Sequence, residues 1–337
     1  MKQGQVLFLN EAQIRGLLTE PQVLELVDKV LREWALGKTV NPVKLSLQIY
    51  PYHEGHINSM PSYIENGDLA GVKVVSVYAN NLKTYGLPTT IGIIILHDAD
   101  SGLPYAILGG THITDLRTGA VSGVKARYLA RKDSKVLAIV GAGAQGFGSM
   151  LMVKLAVPGI EEVRVCDLSA KRRAAFIEDA KKHFPTLRYV SCASNAEASA
   201  EADIIVYATS ASVPLLEGSA LKDGVTAICV SEKLTPKTIA RFDGFYVDFT
   251  ACAIERYNAD GRHQAELIGR TYEDLTEDMV TGEIGDVMIG KCPGRTSDDQ
   301  KILTAAVGMS IEDVIVARAA YDAAVERGIG TVLDFEN

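Results

Sequence analysis

Residues 135–167 read KVLAIVGAGAQGFGSMLMVKLAVPGIEEVRVCD, an order that few folds accommodate. Val136–Val140 is an apolar run of strand type. It meets Gly141-Ala-Gly143-Ala-Gln-Gly146, and an apolar segment of helical length, 148–156, follows until Pro158-Gly159 breaks it. A second strand, Glu162–Cys166, ends on Asp167. Strand, glycine turn, helix, strand and acid succeed one another as a dinucleotide-binding unit requires. Gly141 allows the tight turn, Gly143 lets backbone approach a pyrophosphate, and Gly146 lets the helix pack closely on the sheet. Ala144 and Gln145 stand where amide groups and the helix dipole attract phosphate. Asp167 lies about 20 residues beyond Gly146, placed to accept from ribose hydroxyls. A carboxylate there repels a 2′-phosphate, which favours NAD(H). Arg172 and Arg173 are near enough in sequence to hold that phosphate, so NADP(H) stays open.

Before this unit the pattern is different. Residues 6–9 read as a strand, and Thr19 with Pro21 opens a helix through Trp34 that Gly37 ends. Strands are predicted at 44–50, 56–64, 71–77, 89–97 and 105–108, with a loop at 80–88. One helix and several strands thus precede any alternation, which suggests a separate domain. A helix at 115–129, rich in small residues, leads into the nucleotide-binding half. Strands and helices then alternate, with helices at 171–184 and 196–200 and strands at 187–190, 204–208, 225–230 and Gly244–Val247. This is an α/β, doubly wound pattern. Residues 276–290 read as a surface helix and turn. An amphipathic helix at 311–326, ended by Gly328, is expected to return to the first domain.

Composition narrows the partners. With 42 acidic against 34 basic residues the net charge is −8, which argues against nucleic acid or an anionic membrane as partner. No run of 18 apolar residues is present, and the N-terminal stretch lacks a signal peptide's apolar core, so a cytoplasmic protein is expected. Five widely spaced cysteines form no CxxC pair and read as reduced thiols. His53 and His56 have no accompanying ligand pair, and no metal site is expected.

A nicotinamide enzyme acting on a small amino or keto acid needs a cation for the carboxylate. Lys44, Lys73 and Arg117 are the candidates in the first domain. Lys73 interrupts the apolar run Gly71-Val-Lys73-Val-Val; its ordinary explanation is an edge-strand lysine pointing outward. Arg117, at a helix start, could equally pair with Asp115 or Asp98.

Several motifs occur together: Met60-Pro61, Gly71-Val-Lys73, Gly86-Leu-Pro88-Thr89, DADSGLP at 98–104, Leu116-Arg117-Thr118-Gly119-Ala120, the glycine turn, and Gly308-Met-Ser-Ile-Glu-Asp313. On these the chain resembles the ornithine cyclodeaminase/μ-crystallin family of NAD(P)-dependent proteins over nearly its whole length. The resemblance implies a discontinuous α+β substrate-binding and dimerisation domain, residues 1–122 and 305–337, around a Rossmann NAD-binding domain, 123–304. It also implies a homodimer. By the same resemblance Lys73 and Arg117 hold the substrate carboxylate, Arg117 also near the cofactor phosphates. Met60 and Val307 lie beside the substrate. Thr89, Ala144, Gln145, Asp167, Thr209 and Lys237 contact the cofactor.

Two departures redirect the functional expectation. Lys44 stands where cyclodeaminases have an arginine. Their catalytic aspartate lies in a Gly-x-Asp-x-Pro-Gly-Lys segment, which here reads Val230-Ser231-Glu232-Lys233-Leu234-Thr235-Pro236-Lys237. The ungapped match puts Lys233 at that position, and a one-residue shift would bring in Glu232. Cyclisation needs an acid/base group there. Hydride transfer between NAD(H) and the Cα of an amino or imino acid needs only carboxylate anchors and a proton source, Lys73 or water. An amino-acid dehydrogenase or imine reductase is therefore expected. Lys44, Lys73, Arg117 and Lys233 would together form a cationic pocket suited to a substrate with more than one carboxylate. The alternatives are a cyclodeaminase-type lyase using Glu232 and a μ-crystallin-like binding protein.

Overall fold

The computed structural model describes residues 3–49, 52–53, 55–209, 211, 214–231, 233–267, 269 and 271–336. The chain divides into two units, Met1–Arg117 with Gly308–Asn337, and Thr118–Val307.

The first unit is built on an eight-stranded sheet. Its order is Thr331–Asp334, Gln5–Leu9, Pro104–Gly109, Thr90–Asp98, Leu69–Val77, His56–Ile64 and Thr39–Val40, with Leu45–Gln48 also paired to His56–Ile64. Gln5–Leu9 runs parallel to Pro104–Gly109. The helix Glu20–Ala35 forms as expected, with Thr19 and Gln22 closing a capping box and proline in its first turn. It packs against the last helix, Ser310–Arg327, which crosses the central strands. That last helix returns to the first unit as expected, but its first half is buried all round rather than amphipathic. It buries Glu312 and Asp313 as fully as Val314 and Val316.

Gly71 explains how close this helix comes, because a Cβ there would stand 2.8 Å from a Val314 methyl. Leu69, Gly71, Lys73 and Val75 alternate onto the helix-covered face. Lys73 is therefore a central, buried residue and not an outward edge lysine. The loop expected at 80–88 contains a short helix, Asn81–Tyr85, ended by Gly86 at φ 67°.

The second unit carries eight parallel strands. Their order is Arg188–Cys192, Glu162–Cys166, Val136–Val140, Ile204–Tyr207, Thr226–Cys229, Ile302–Ala305, Gly244–Val247 and Gly282–Glu283. This is the Rossmann arrangement, in which the direction of winding reverses beside the first strand and opens a crevice at the strand ends. Ile302–Ala305, unforeseen in the sequence, lies fully buried between Thr226–Cys229 and Gly244–Val247. The helix Thr250–Leu267 was also missed. Its Gly261 looks like a breaker, yet a Cβ there would meet the Tyr272 ring at 2.1 Å, so the glycine serves packing. The small residues noted in 115–129 have a similar role: Gly119 in Thr111–Leu129 abuts the backbone of Gly148 in Ala144–Ala156. Among the described residues no helix is long and apolar enough to cross a membrane.

Candidate active site

The glycine turn is assembled by close backbone contact. Gly141 sits at φ 110°, and a Cβ would stand 2.1 Å from the Ala208 carbonyl oxygen. A Cβ on Gly146 would stand 2.0 Å from the Gly141 oxygen. Gly143 differs, since an added Cβ meets no atom within 4 Å and its φ is ordinary. Nothing in the protein requires glycine there; the open space fits a ligand's phosphates. Gly143 also caps the helix Ala144–Ala156 without a side-chain acceptor, so Ala144 and Gln145 open a helix whose start suits an anion. Asp167 ends the second strand, and its two carboxylate oxygens accept from the amides of Ala142 (3.1 Å) and Ser169 (2.8 Å). Thr209 follows the neighbouring strand, its amide 3.2 Å from where a Gly141 Cβ would lie. These residues fit a bound dinucleotide.

In the first unit Lys73 and Arg117 meet two acids far off in sequence. Lys73 Nζ lies 2.5 Å from Asp313 Oδ2. Arg117 donates from Nε to Asp313 Oδ1 (2.9 Å) and from Nη1 to Glu312 Oε2 (3.0 Å); its Nη2 takes part in neither contact. All four residues are buried. The helix Thr111–Leu129 that carries Arg117 is held at its start by Glu11, whose carboxylate accepts from the amides of Thr111 (2.7 Å) and His112 (3.0 Å). Met60 is the register partner of Lys73 on the adjacent strand, and its carbonyl accepts from Ser310 Oγ at 2.5 Å. Lys44 immediately precedes Leu45, the register partner of Ser59, which adjoins Met60 in sequence.

Burial and the neighbouring Arg117 charge bring the Lys73 pKa down to about 8, against the opposing pull of Asp313. For Arg117 burial works against the charge, but Asp313 and Glu312 outweigh it and the pKa lies above its ordinary value. Of the cations expected here, Lys73 and Arg117 thus face two carboxylates.

The remaining candidates lie elsewhere. Thr89 adjoins the strand Thr90–Asp98, and its carbonyl accepts from the Tyr78 amide (2.9 Å). Val307 belongs to the second unit, where its amide donates to Asp248 Oδ2 (2.8 Å). Lys233, also in the second unit, has Nζ 3.8 Å from Asp260 Oδ2. Lys237 pairs with Glu217 at 3.3 Å and is largely exposed. Glu232, the alternative to Lys233, lies outside the described residues. Sequence reasoning quoted Glu312 and Asp313 within a motif but gave them no task. The available signal was two acids inside a stretch otherwise apolar on every helical face, where charge survives only if paired.

The profile of the ornithine cyclodeaminase/mu-crystallin family matches residues 5–328. A Delta(1)-pyrroline-2-carboxylate reductase of Bacillus cereus is 32% identical over 337 residues, covering 98% of this chain and 100% of its own. The Thermococcus litoralis Delta(1)-pyrroline-2-carboxylate reductase, solved in complex with NADH and L-proline, superposes with a TM-score of 0.86 at 32% identity, over 97% of this chain and 99% of that one. An archaeal alanine dehydrogenase dimer with bound NAD gives a TM-score of 0.86 at 25% identity, over 98% and 100%.

Proposed function

The chain belongs to the ornithine cyclodeaminase/mu-crystallin family and at that level is a hydride-transfer oxidoreductase of amino and imino acids; on this premise we propose that it reduces a 2-carboxylated imine, preferably a cyclic one, to the amino acid with NADH. The carrying observation is the buried quartet of Lys73, Asp313, Arg117 and Glu312. Arg117 offers Nη2 to the substrate carboxylate, while the two acids hold its fork in place. Lys73 gives a proton to the substrate nitrogen, and Asp313 orients its ammonium. When bound, NADH supplies the hydride that reduces the C=N carbon. Nitrogen takes the proton, and Lys73, left neutral, regains one from solvent. A pKa of about 8 suits that exchange near neutral pH. Because the quartet's charges cancel, it leaves no surplus cation for a second carboxylate, which supports an imine with a single one.

Asp167, its carboxylate fixed by two amides, supports NADH over NADPH. The sheet face turned away from the last helix supports a homodimer. Ile91 and Ile93 there are 37% and 40% exposed, and on the same face, across two intervening strands, Leu45 and Leu47 are 74% and 60% exposed. The archaeal relative that shares the fold is a dimer.

The test is NADH oxidation with Δ1-pyrroline-2-carboxylate, Δ1-piperideine-2-carboxylate, and pyruvate or oxaloacetate with ammonia. Fastest turnover is expected with the cyclic imines. Silence across the panel with NADH still bound would favour a binding protein, and ammonia release from ornithine would favour the lyase.

A further inference from the structure

Lys125 and Asp248 are each 0% exposed, and their charges meet inside the second unit. Burying two ions is costly, and an apolar pair of similar volume commonly serves a core as well or better. The reason for this pair therefore lies in its other contacts. Lys125 Nζ also donates to the Ala305 carbonyl. The second Asp248 oxygen accepts from the Val307 amide at 2.8 Å. Between them, Arg256 Nη1 donates to the Ala306 carbonyl (3.0 Å), and the Ala306 amide donates to the Cys229 carbonyl (2.7 Å). Three consecutive residues at the end of a buried strand are thus held through the backbone, each by a charged side chain from a different place in the sequence.

The next residue is Gly308, at φ 75°. It lies so close to the guanidinium of Arg117 that a Cβ would stand 2.9 Å from Nη1. Any slip of residues 305–307 would carry Gly308 with it and disturb that seat.

We propose that Lys125, Asp248 and Arg256 are positioning residues. They clamp residues 305–307 so that Gly308, the next residue, keeps a fixed seat for Arg117. This rests on the reading of Arg117 as the carboxylate anchor. It separates two tasks usually merged in a buried ion pair: stabilising the core, which an apolar pair can do, and accepting from the Val307 amide, which it cannot.

Two double variants distinguish the tasks. Lys125→Met/Asp248→Val removes both charges and the acceptor, whereas Lys125→Met/Asp248→Asn removes both charges and keeps the acceptor. The Val variant is expected to raise KM for the best imine about 10-fold, with kcat and NADH affinity within about 3-fold of wild type, as befits one lost hydrogen bond in a binding segment. Amide exchange at Val307 should quicken about 10-fold in the same variant. The Asn variant, which loses the Lys125 contact to Ala305 but keeps the acceptor for Val307, should show a smaller change, about 3-fold in each. Equal behaviour of the two variants, whether intact or impaired, would overturn the proposal. Should the Val variant not fold, the half-buried Arg256→Met serves instead: about 3-fold in KM and faster exchange across 305–307 are expected, and no change in either overturns the clamp. If the imine panel is silent in wild type, the proposed reaction fails, while amide exchange still decides whether the clamp exists.

Discussion

At the glycine turn the working atoms are backbone, drawn from residues that follow one another in the chain. At Lys73 and Arg117 they are side chains, and the carboxylates that face Arg117 stand 195 and 196 positions away. The turn depends on an absence, the missing Cβ at Gly141 and Gly146. The quartet depends on charge balance under burial, where each member is tolerated because the others are present. A fault in the turn should therefore weaken cofactor binding first. A fault in the quartet should strike chemistry, substrate affinity and stability together.

The sharpest break of this comparison is Lys73→Met. It should lower kcat for the best imine by about 10²–10⁴-fold while NADH affinity, measured by fluorescence titration, stays put. Parallel loss of both would show that the two regions are not separable. Asp313→Asn comes next, leaving Lys73 and Arg117 with one carboxylate fewer. Thermal or denaturant unfolding should register about 3–5 kcal/mol of lost stability.

The same substitution bears on pH dependence. Imine reduction needs Lys73 protonated, so its kcat/KM should fall as pH rises through about 8, and amino-acid oxidation should rise through the same range. Asp313 raises the Lys73 pKa, so Asp313→Asn should move both limbs to lower pH. A limb that stays where it is would deny Lys73 the proton. Stability follows the same linkage. Folding lowers this pKa from 10.5 to about 8, so the unfolded chain holds more protons between those values and this group's contribution to stability rises with pH across that window.

At the turn, Gly146→Ala puts a Cβ 2.0 Å from a backbone oxygen, and NADH affinity should drop about 100-fold, near 2.7 kcal/mol. Unchanged NADH affinity in a folded variant would mean the close approach is dispensable. The smallest effect is expected from Asp167→Ser, which removes the fixed carboxylate. The ratio of NADH to NADPH preference should narrow about 10-fold, one charge–charge contact's worth. Arg173 is already engaged with the Asp167 carbonyl (2.6 Å) and Ser191 Oγ (2.8 Å), which limits how far preference can invert.

Much of the fold is set by interactions within a few residues, and these were legible. The helix start at Thr19 and Pro21, the strand–turn–helix at 136–156 and the strand Glu162–Cys166 each carry their signal in adjacent residues. The family motifs likewise named Lys73, Arg117 and the residues of the turn. Among the elements that escaped, Ile302–Ala305 and Thr250–Leu267 did so because their support is remote. Ile302–Ala305 is only four residues of strand after a polar loop, and its place is made by neighbours at Thr226–Cys229 and Gly244–Val247. Thr250–Leu267 has a mixed sequence and a mid-helix glycine whose reason is Tyr272.

By itself the sequence determined that a dinucleotide turn would form, that a cation would interrupt an apolar strand at Lys73, and that an arginine would lie on the helix leading into the turn, though that helix begins earlier than expected, at Thr111. Tertiary structure alone decided the state of those cations. Gly71 lets the last helix descend on the strand, and Asp313 then reaches Lys73 while Glu312 reaches Arg117. Local propensity acts over one turn or one strand pair and can be read in order. Charge in a dry interior is settled by whichever groups packing brings within a few ångströms, and that depends on the whole chain.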